Sequence, residues 1–326
     1  MNYELISAPL RCCVAKFLRR FVAKLHLLLY LCIATFTKSR FMARIISVIN
    51  DKGGVSKTTT VFNLGTALWL LGYKVLLVDN DHQCNLTLDM DKTAQNTEPN
   101  LLTWMKDGKS DIPVYTRYDG FDYIPSSSNL EELSVFLGSV VGSDRYLSIR
   151  LHALLKQDDY DFVLIDCGPG GGNIINVNAL EASDEVLIPV RTDAFSVKGR
   201  GILERRIQEV QQLGYDLKVL GILLTQFDAR REMARLTKDY FSEYSRENHD
   251  MPLIPTQIHL CEAINKAHGT QMSIFEFDAT SQGADDYMRL AEWVATGSFA
   301  RKKSWTPATW ARKSLAAFQE FEATQD

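Results

Sequence analysis

The sequence has no large excess of charge of either sign: 36 Lys and Arg stand against 40 Asp and Glu, a formal net charge of −4. Nucleic acid held by overall basicity is therefore excluded, and any such contact must use a local patch. Six cysteines are present without a C-x-x-C pair, and only Cys12 and Cys13 are adjacent. Neither a zinc site nor a disulfide framework is indicated, and the thiols read as reduced and cytosolic. The apolar run Leu25 to Phe36 falls well short of the roughly 20 residues of a membrane span, and Lys24 and His26 interrupt it. No internal repeat or low-complexity tract occurs, so a repeat array is excluded. What remains is a chain of 326 residues, 46% hydrophobic, enough for a substantial core in one large domain or two ordinary ones.

One stretch organises the rest: Val48-Ile49-Asn50-Asp51-Lys52-Gly53-Gly54-Val55-Ser56-Lys57-Thr58-Thr59. An apolar run ends in a glycine-bearing loop, and the loop runs into a helical pattern from Val61 to Leu71. Gly53 and Gly54 let the backbone turn its N–H groups toward phosphate oxygens. The N–H groups from Gly53 through Val55 and Ser56 to Thr59, with the helix N-terminus behind them, suit an anion. Lys57 reaches β- and γ-phosphates, and the Thr58 hydroxyl suits Mg²⁺. The usual pattern G-x-x-x-x-G-K-[ST] fails at both glycine positions, which hold Asp51 and Ser56. The form present, K-G-G-x-x-K-T with an additional lysine at Lys52, resembles the deviant Walker A loop of the ParA/MinD family of ATPases. That resemblance implies ATP and Mg²⁺ as ligands. It also implies a Lys52 that reaches across a dimer interface to the partner's nucleotide.

Downstream, short apolar runs alternate with helical stretches. Strands are expected at Ile45–Ile49, Val75–Val78, Phe162–Ile165, Val186–Val190 and Val219–Leu224. Helices are expected near Thr59–Leu71, Asn129–Leu137, Arg145–Lys156, Ile174–Ala182, Val197–Leu213 and Glu232–Tyr244. Continuous apolar strands between helices predict an α/β fold: a doubly wound, mostly parallel sheet with helices on both faces. The ligand crevice is expected at the carboxyl ends of the strands. Polar Asp89–Asn100 reads as a surface loop.

The second strand ends in Asp79-Asn80-Asp81-His82-Gln83-Cys84-Asn85. Alternation places both aspartates on one face, able to touch a Mg²⁺ shell or orient a water. The family form is D-x-D-P-Q-G-N, so His82 and Cys84 are departures, and by resemblance Asp81 positions the attacking water. The third strand ends in Asp166, the Walker B arrangement that holds Mg²⁺ together with Thr58. A glycine run, Gly168-Pro169-Gly170-Gly171-Gly172, follows where the family commonly has a Pro-rich loop. By resemblance, the loop after Val219–Leu224 helps hold the base, which makes Thr225 and Gln226 candidate adenine contacts. Phe227 stands beside them.

Ile274-Phe275-Glu276-Phe277-Asp278 and Gly283 to Ala291 resemble the ParA closing segment. The resemblance covers about Met42 to Val294 and fits the partition branch better than the cell-division branch. It sets expected boundaries: an N-terminal extension over 1–41, an ATPase domain over 42–296 and a helical tail over 297–326. For the extension three readings stay open: translated upstream sequence with Met42 as the start, a basic amphipathic helix, or a targeting segment. The tail is weakly amphipathic and reads as a helix packed on the body, with membrane contact as the lesser alternative.

Family members of the partition branch bind DNA without sequence preference as ATP dimers. The basic candidates are Lys198, Arg200, Arg205 and Arg206, then Arg230, Arg231 and Arg235, then Lys266 with His268. Thr256 follows Ile254-Pro255, where the family often has an arginine. The resemblance implies a homodimeric, cytoplasmic, nucleoid-associated switch with a ParB-like partner. An alternative is a MinD-like positioning ATPase for protein cargo or a membrane surface. A third class, an iron–sulfur reductase, would need thiolates such as Cys84 and Cys167.

Overall fold

The computed structural model describes residues 43–94, 97–107, 112–170, 172–192, 200–212 and 215–297. The expected extension at 1–41, the tail from 298 onward and Lys198 lie outside them. The strands are β1 Arg44–Val48, β2 Val75–Asn80, β3 Tyr115–Tyr118, β4 Phe121–Ile124, β5 Phe162–Cys167, β6 Glu185–Arg191 and β7 Lys218–Thr225. They form one seven-stranded sheet in the order β3-β4-β2-β5-β1-β6-β7. All neighbours pair in parallel except β3 with β4.

Helices lie on both faces, as the patterning predicts. On one side are α1 Lys57–Leu70, α2 Asn85–Met90, α9 Glu262–Gly269, α10 Ile274–Asp278 and α11 Gln282–Thr296. On the other are α3 Leu101–Asp107, α4 Glu132–Gly138, α5 Tyr146–Leu155, α6 Ile174–Glu181, α7 Arg200–Gln212 and α8 Glu232–Glu247. Each central strand feeds both cores by alternation. Leu76, Val78, Val163 and Ile165 enter the core under α3–α8. Val75, Leu77, Phe162 and Leu164 enter the core under α1 and α11. Each fully buried side chain of this kind contributes about 1.5–3 kcal/mol. A strand buried on both faces must be a continuous apolar run, and that is why these strands were visible in the sequence.

Two strands were not expected, β3 and β4. They are four residues each, and each carries a charge where a buried strand would carry none. Asp122 in β4 is buried because the Tyr160 hydroxyl donates to it at 2.7 Å. Arg117 in β3 donates to the carbonyls of Asp89 and Met90 and pairs with Glu276 at 2.7 Å. A guanidinium at the α2 C-terminus satisfies orphan carbonyls and favours the helix dipole. The same arginine ties the hairpin to α10, where Ser273 and Glu276 form a capping box. The expectation of a surface loop over Asp89–Asn100 needs correction. Asp89 and Met90 close α2, and Asp89 and Asn100 are buried.

Gly221 in β7 marks the tightest approach on that side of the sheet. A Cβ there would stand 2.7 Å from Ile254 Cγ1 and 2.9 Å from the Pro252 carbonyl oxygen. The carbonyl cannot yield, because it accepts the Ile222 N–H at 2.8 Å. Gly221→Ala should therefore cost about 1–3 kcal/mol, read as a lower urea midpoint with unchanged slope.

Candidate nucleotide site at the strand tips

The sheet order brings three carboxyl-end loops together. β1 lies beside β5, with Val48 opposite Asp166. β5 lies beside β2, with Asp166 opposite Asp79. Asp79 and Asp166 therefore share the face that α1 covers, and the loop leaving β1 passes in front of them. The cleft so formed is about 300 Å³, lined by Gly53, Gly54, Ser56, Lys57, Thr58, Thr59, Asp81, Gln83, Asn85, Pro169, Gln226, Asn265 and His268. That is within the size range of small-ligand sites, roughly 300–1,000 Å³.

The loop is fastened from several sides. Asn50 donates through Nδ2 to the Pro189 carbonyl at 2.8 Å and accepts the Lys52 N–H at 3.0 Å. Gly54 takes φ +72, and Ser56, where glycine is usual, takes φ 70 and ψ 34. The left-handed region costs a non-glycine residue roughly 1–2 kcal/mol. Gln226 Nε2, 3.3 Å from Ser56 Oγ, holds the hydroxyl in place.

Lys57 is buried, and its Nζ donates to the Asn50 and Lys52 carbonyls at 3.2 and 3.0 Å. Burial lowers its pKa, opposed by the nearby acids, Asp166 foremost. Asp166 is 1% exposed, and neither carboxylate oxygen has a hydrogen-bond partner of normal geometry. Burial, then the charge of Asp79, pushes its pKa well up, while the nearby Thr58 hydroxyl works against the rise. A buried, unpartnered carboxylate is costly, and a cation beside it would relieve the cost. Among the described residues, no group of three or more His, Cys, Asp or Glu is arranged to hold a metal ion. Thr58 and Asp166, with Asp81 nearby, offer oxygen donors of the kind that suit a hard divalent cation taking its remaining oxygens from phosphates and water.

Asp79 does not act as alternation suggested. Its carboxylate accepts the Thr87 N–H at 2.8 Å, the Thr87 hydroxyl at 2.6 Å and the Asp81 N–H at 3.2 Å. It anchors α2, and burial raises its pKa to about 7. Asp81 is the carboxylate that reaches the cleft, its Oδ1 accepting the Gln83 N–H at 3.0 Å. A Cβ on Gly168 would stand 3.2 Å from that same oxygen, so a side chain there would push on the Asp81 carboxylate. The Gly168 and Gly170 carbonyls both accept from Asn176 Nδ2, at 3.0 and 3.1 Å. Asp81 and Pro169 also face a second cavity of about 350 Å³, with His82 and Glu131 in its wall.

Other expectations need correction. Thr225 is buried and does not line the cleft; its hydroxyl donates to the Val55 carbonyl at 3.1 Å and pins the loop. Val55 is itself buried, so only its backbone is offered to a ligand. The Lys52 side chain is not part of this chain's own cleft wall, which does not bear on its expected reach to a partner's nucleotide. Cys84 and Cys167 are buried thiols whose pKa values burial raises to about 11 and about 12, so neither presents a thiolate.

Among the basic candidates, Arg205 is exposed on α7, while the side chains of Arg200 and Arg206 lie outside the described set. Arg230 forms a two-point pair with Asp228 at 2.9 and 3.0 Å, with Arg231 3.6 Å from the same carboxylate. Lys266 pairs with Glu262 at 2.9 Å. Thr256 is buried. Asn265 and His268, in the cleft wall, were not expected there. They come from α9, about 200 residues beyond the loop, and no local pattern near Lys57 points to them.

A family model described as an AAA domain matches residues 43–219. The chain is 34% identical to the sporulation initiation inhibitor protein Soj of Bacillus subtilis over 257 residues, 78% of this chain and 99% of that protein. It is 32% identical to the chromosome partitioning protein ParA of Caulobacter vibrioides over 255 residues, 77% of this chain and 93% of that one. The chain belongs to the ParA/MinD family of ATPases. Its fold is also that of cobyrinic acid a,c-diamide synthase from Mycobacterium smegmatis, solved with ADP and magnesium. The TM-score is 0.65 at 27% identity, covering 79% of this chain and 97% of that one. Within the described residues of this family member, no helix is long and apolar enough to cross a membrane.

Ser56→Gly should relieve the left-handed strain at the loss of the Gln226 contact. A net gain of about 1 kcal/mol would raise the melting temperature by about 2–4 °C. A calorimetric scan of both proteins checks this.

Proposed function

We propose that this chain is a partition ATPase: a switch that dimerises on ATP–magnesium, binds DNA without sequence preference in that state, and hydrolyses ATP with a ParB-like partner. The observation that carries the reading is the buried, unpartnered Asp166 beside the Lys57 loop, in a cleft of nucleotide size. The loop N–H groups from Gly53 to Thr59 and the Lys57 ammonium receive the phosphates. On binding, Lys57 exchanges two carbonyl partners for phosphate oxygens, a stronger, charge-assisted set. Thr58 and Asp166 hold magnesium, which neutralises developing charge on the phosphates. Asp81, at the boundary between the two cavities, orients the attacking water. Lys52 stands outside its own cleft wall and serves the nucleotide of a second subunit. Catalysis of this kind is positioning and electrostatics, and it is incomplete until two subunits meet.

Exposed Arg205, with Arg230 and Arg231 beside Asp228, supplies the DNA contacts. Surface ion pairs are worth about 1 kcal/mol or less, so a phosphate can take the place of Asp228. The first strand of support is the relatedness to Soj and ParA. A positioning role for protein cargo is the outcome to be distinguished from it.

Lys57→Ala should abolish ATP binding, measured by calorimetry. Asp81→Ala should bind ATP yet persist as a dimer that does not turn over, seen by light scattering and phosphate release. Equal turnover in Asp81→Ala would remove the role given to that residue. Random duplex DNA should be shifted only with ATP–magnesium, and less as salt rises, with Arg230→Ala/Arg231→Ala lowering the slope of log K against log[salt] by about 2. No shift at low salt would favour a cargo other than DNA.

A further inference from the structure

Part of the cleft wall is made by α9, and one of its residues is tied to a buried acid. Asp89, in the last turn of α2, is 3% exposed, and its Oδ2 has no hydrogen-bond partner of normal geometry. The Nδ1 of His268 stands 3.4 Å from that oxygen. The His268 side chain is about half exposed, and the residue lines the cleft with Asn265, Gln226 and Thr59.

A buried carboxylate left unpaired is expensive, and a protonated imidazole at its edge is the simplest relief. With Nδ1 turned to Asp89, the ring has its Nε2–H left for the cleft. The α9 helix is closed by its C-cap Thr270, whose N–H donates to the Lys266 and Ala267 carbonyls, and packs next to α10, so the ring is carried on a fixed element.

We propose that His268 is a nucleotide-binding residue, held as an imidazolium by Asp89, and that it makes nucleotide affinity depend on pH. This rests on the reading of the cleft as a nucleotide site. The ligand class is a nucleoside triphosphate with magnesium, and His268 adds to it one charge-assisted hydrogen bond from α9.

The charges that face the ring agree with this. From α2 comes Asp89, whose proximity raises the His268 pKa while partial burial opposes the rise. From β3 comes Arg117, but its guanidinium is engaged by the Asp89 and Met90 carbonyls and by Glu276 of α10. On α9 itself Lys266 and Glu262 neutralise each other at the surface. Elsewhere in the cleft wall Lys57 and Asp81 are opposite in sign. Asp89 is thus the one carboxylate in that set paired with His268.

The sign follows. His268 is protonated below its raised pKa, so affinity is highest at low pH and falls as pH rises through that pKa. The experiment is calorimetric titration of the full chain with ATP–magnesium at pH 6 and at pH 8.5, for the wild type, His268→Gln and Asp89→Asn. The wild type should lose roughly three- to tenfold in affinity across that interval, the size of one partly exposed charge-assisted hydrogen bond. His268→Gln should bind weakly at both values, with the pH step reduced to whatever the nucleotide's own ionisation gives. Asp89→Asn keeps the shape of the site and should move the step to lower pH.

Wild-type affinity and an unchanged pH step in His268→Gln would overturn the inference while leaving the nucleotide site intact. Failure of the wild type to bind ATP–magnesium at either pH would instead overturn the functional reading, and this inference with it.

Discussion

The site depends on holding like charges together where water is scarce. Asp79 and Asp166 are direct neighbours across β2 and β5, on the face that α1 covers. Two buried carboxylates at that spacing cannot both be comfortable as anions. One is relieved by Thr87, through a backbone N–H and a hydroxyl. The other has only the nearby Thr58 hydroxyl on its side, and Lys57 on the adjoining loop is occupied with backbone carbonyls. The electrostatic imbalance is therefore concentrated at Asp166 and Lys57, the two groups that a metal-bound triphosphate would satisfy together.

Neighbouring strands hold the loop in shape. Asn50 reaches the β6 backbone at Pro189. Thr225, at the end of β7, holds the Val55 carbonyl, and Gln226 holds Ser56. Parallel strands end at one edge of the sheet, so each contributes its last residue to the same crevice. This preorganisation also accounts for the non-glycine residue in the left-handed region. A contact from outside the loop supports a conformation that the loop sequence alone would resist.

Residues that depart from the family form are placed close to the chemistry. Ser56 lies in the loop, and His82 stands 3.4 Å from the Asp81 carboxylate. Cys84 takes φ 54 just before α2, a conformation in which glycine would be easier. The glycine run after β5 is anchored at two carbonyls by Asn176, so its lack of proline does not leave it untethered.

The sequence by itself determined the sheet, the phosphate loop and the carboxylate at the end of β5. These features are written in contiguous residues: apolar runs buried on both faces, and a glycine-lysine turn between strand and helix. Only the tertiary structure decided what each polar residue does. Asp79 and Asp81 differ by two positions and share a face, yet Thr87 claims one and the cleft receives the other. Thr225 and Gln226 are adjacent, yet one is spent on the loop backbone while the other lines the cleft. The hairpin β3–β4 and the α9 wall were illegible for the same reason. Their stability comes from partners far along the chain, Tyr160 for Asp122, Glu276 for Arg117 and His268 for Asp89, and such pairings leave no local periodicity to read.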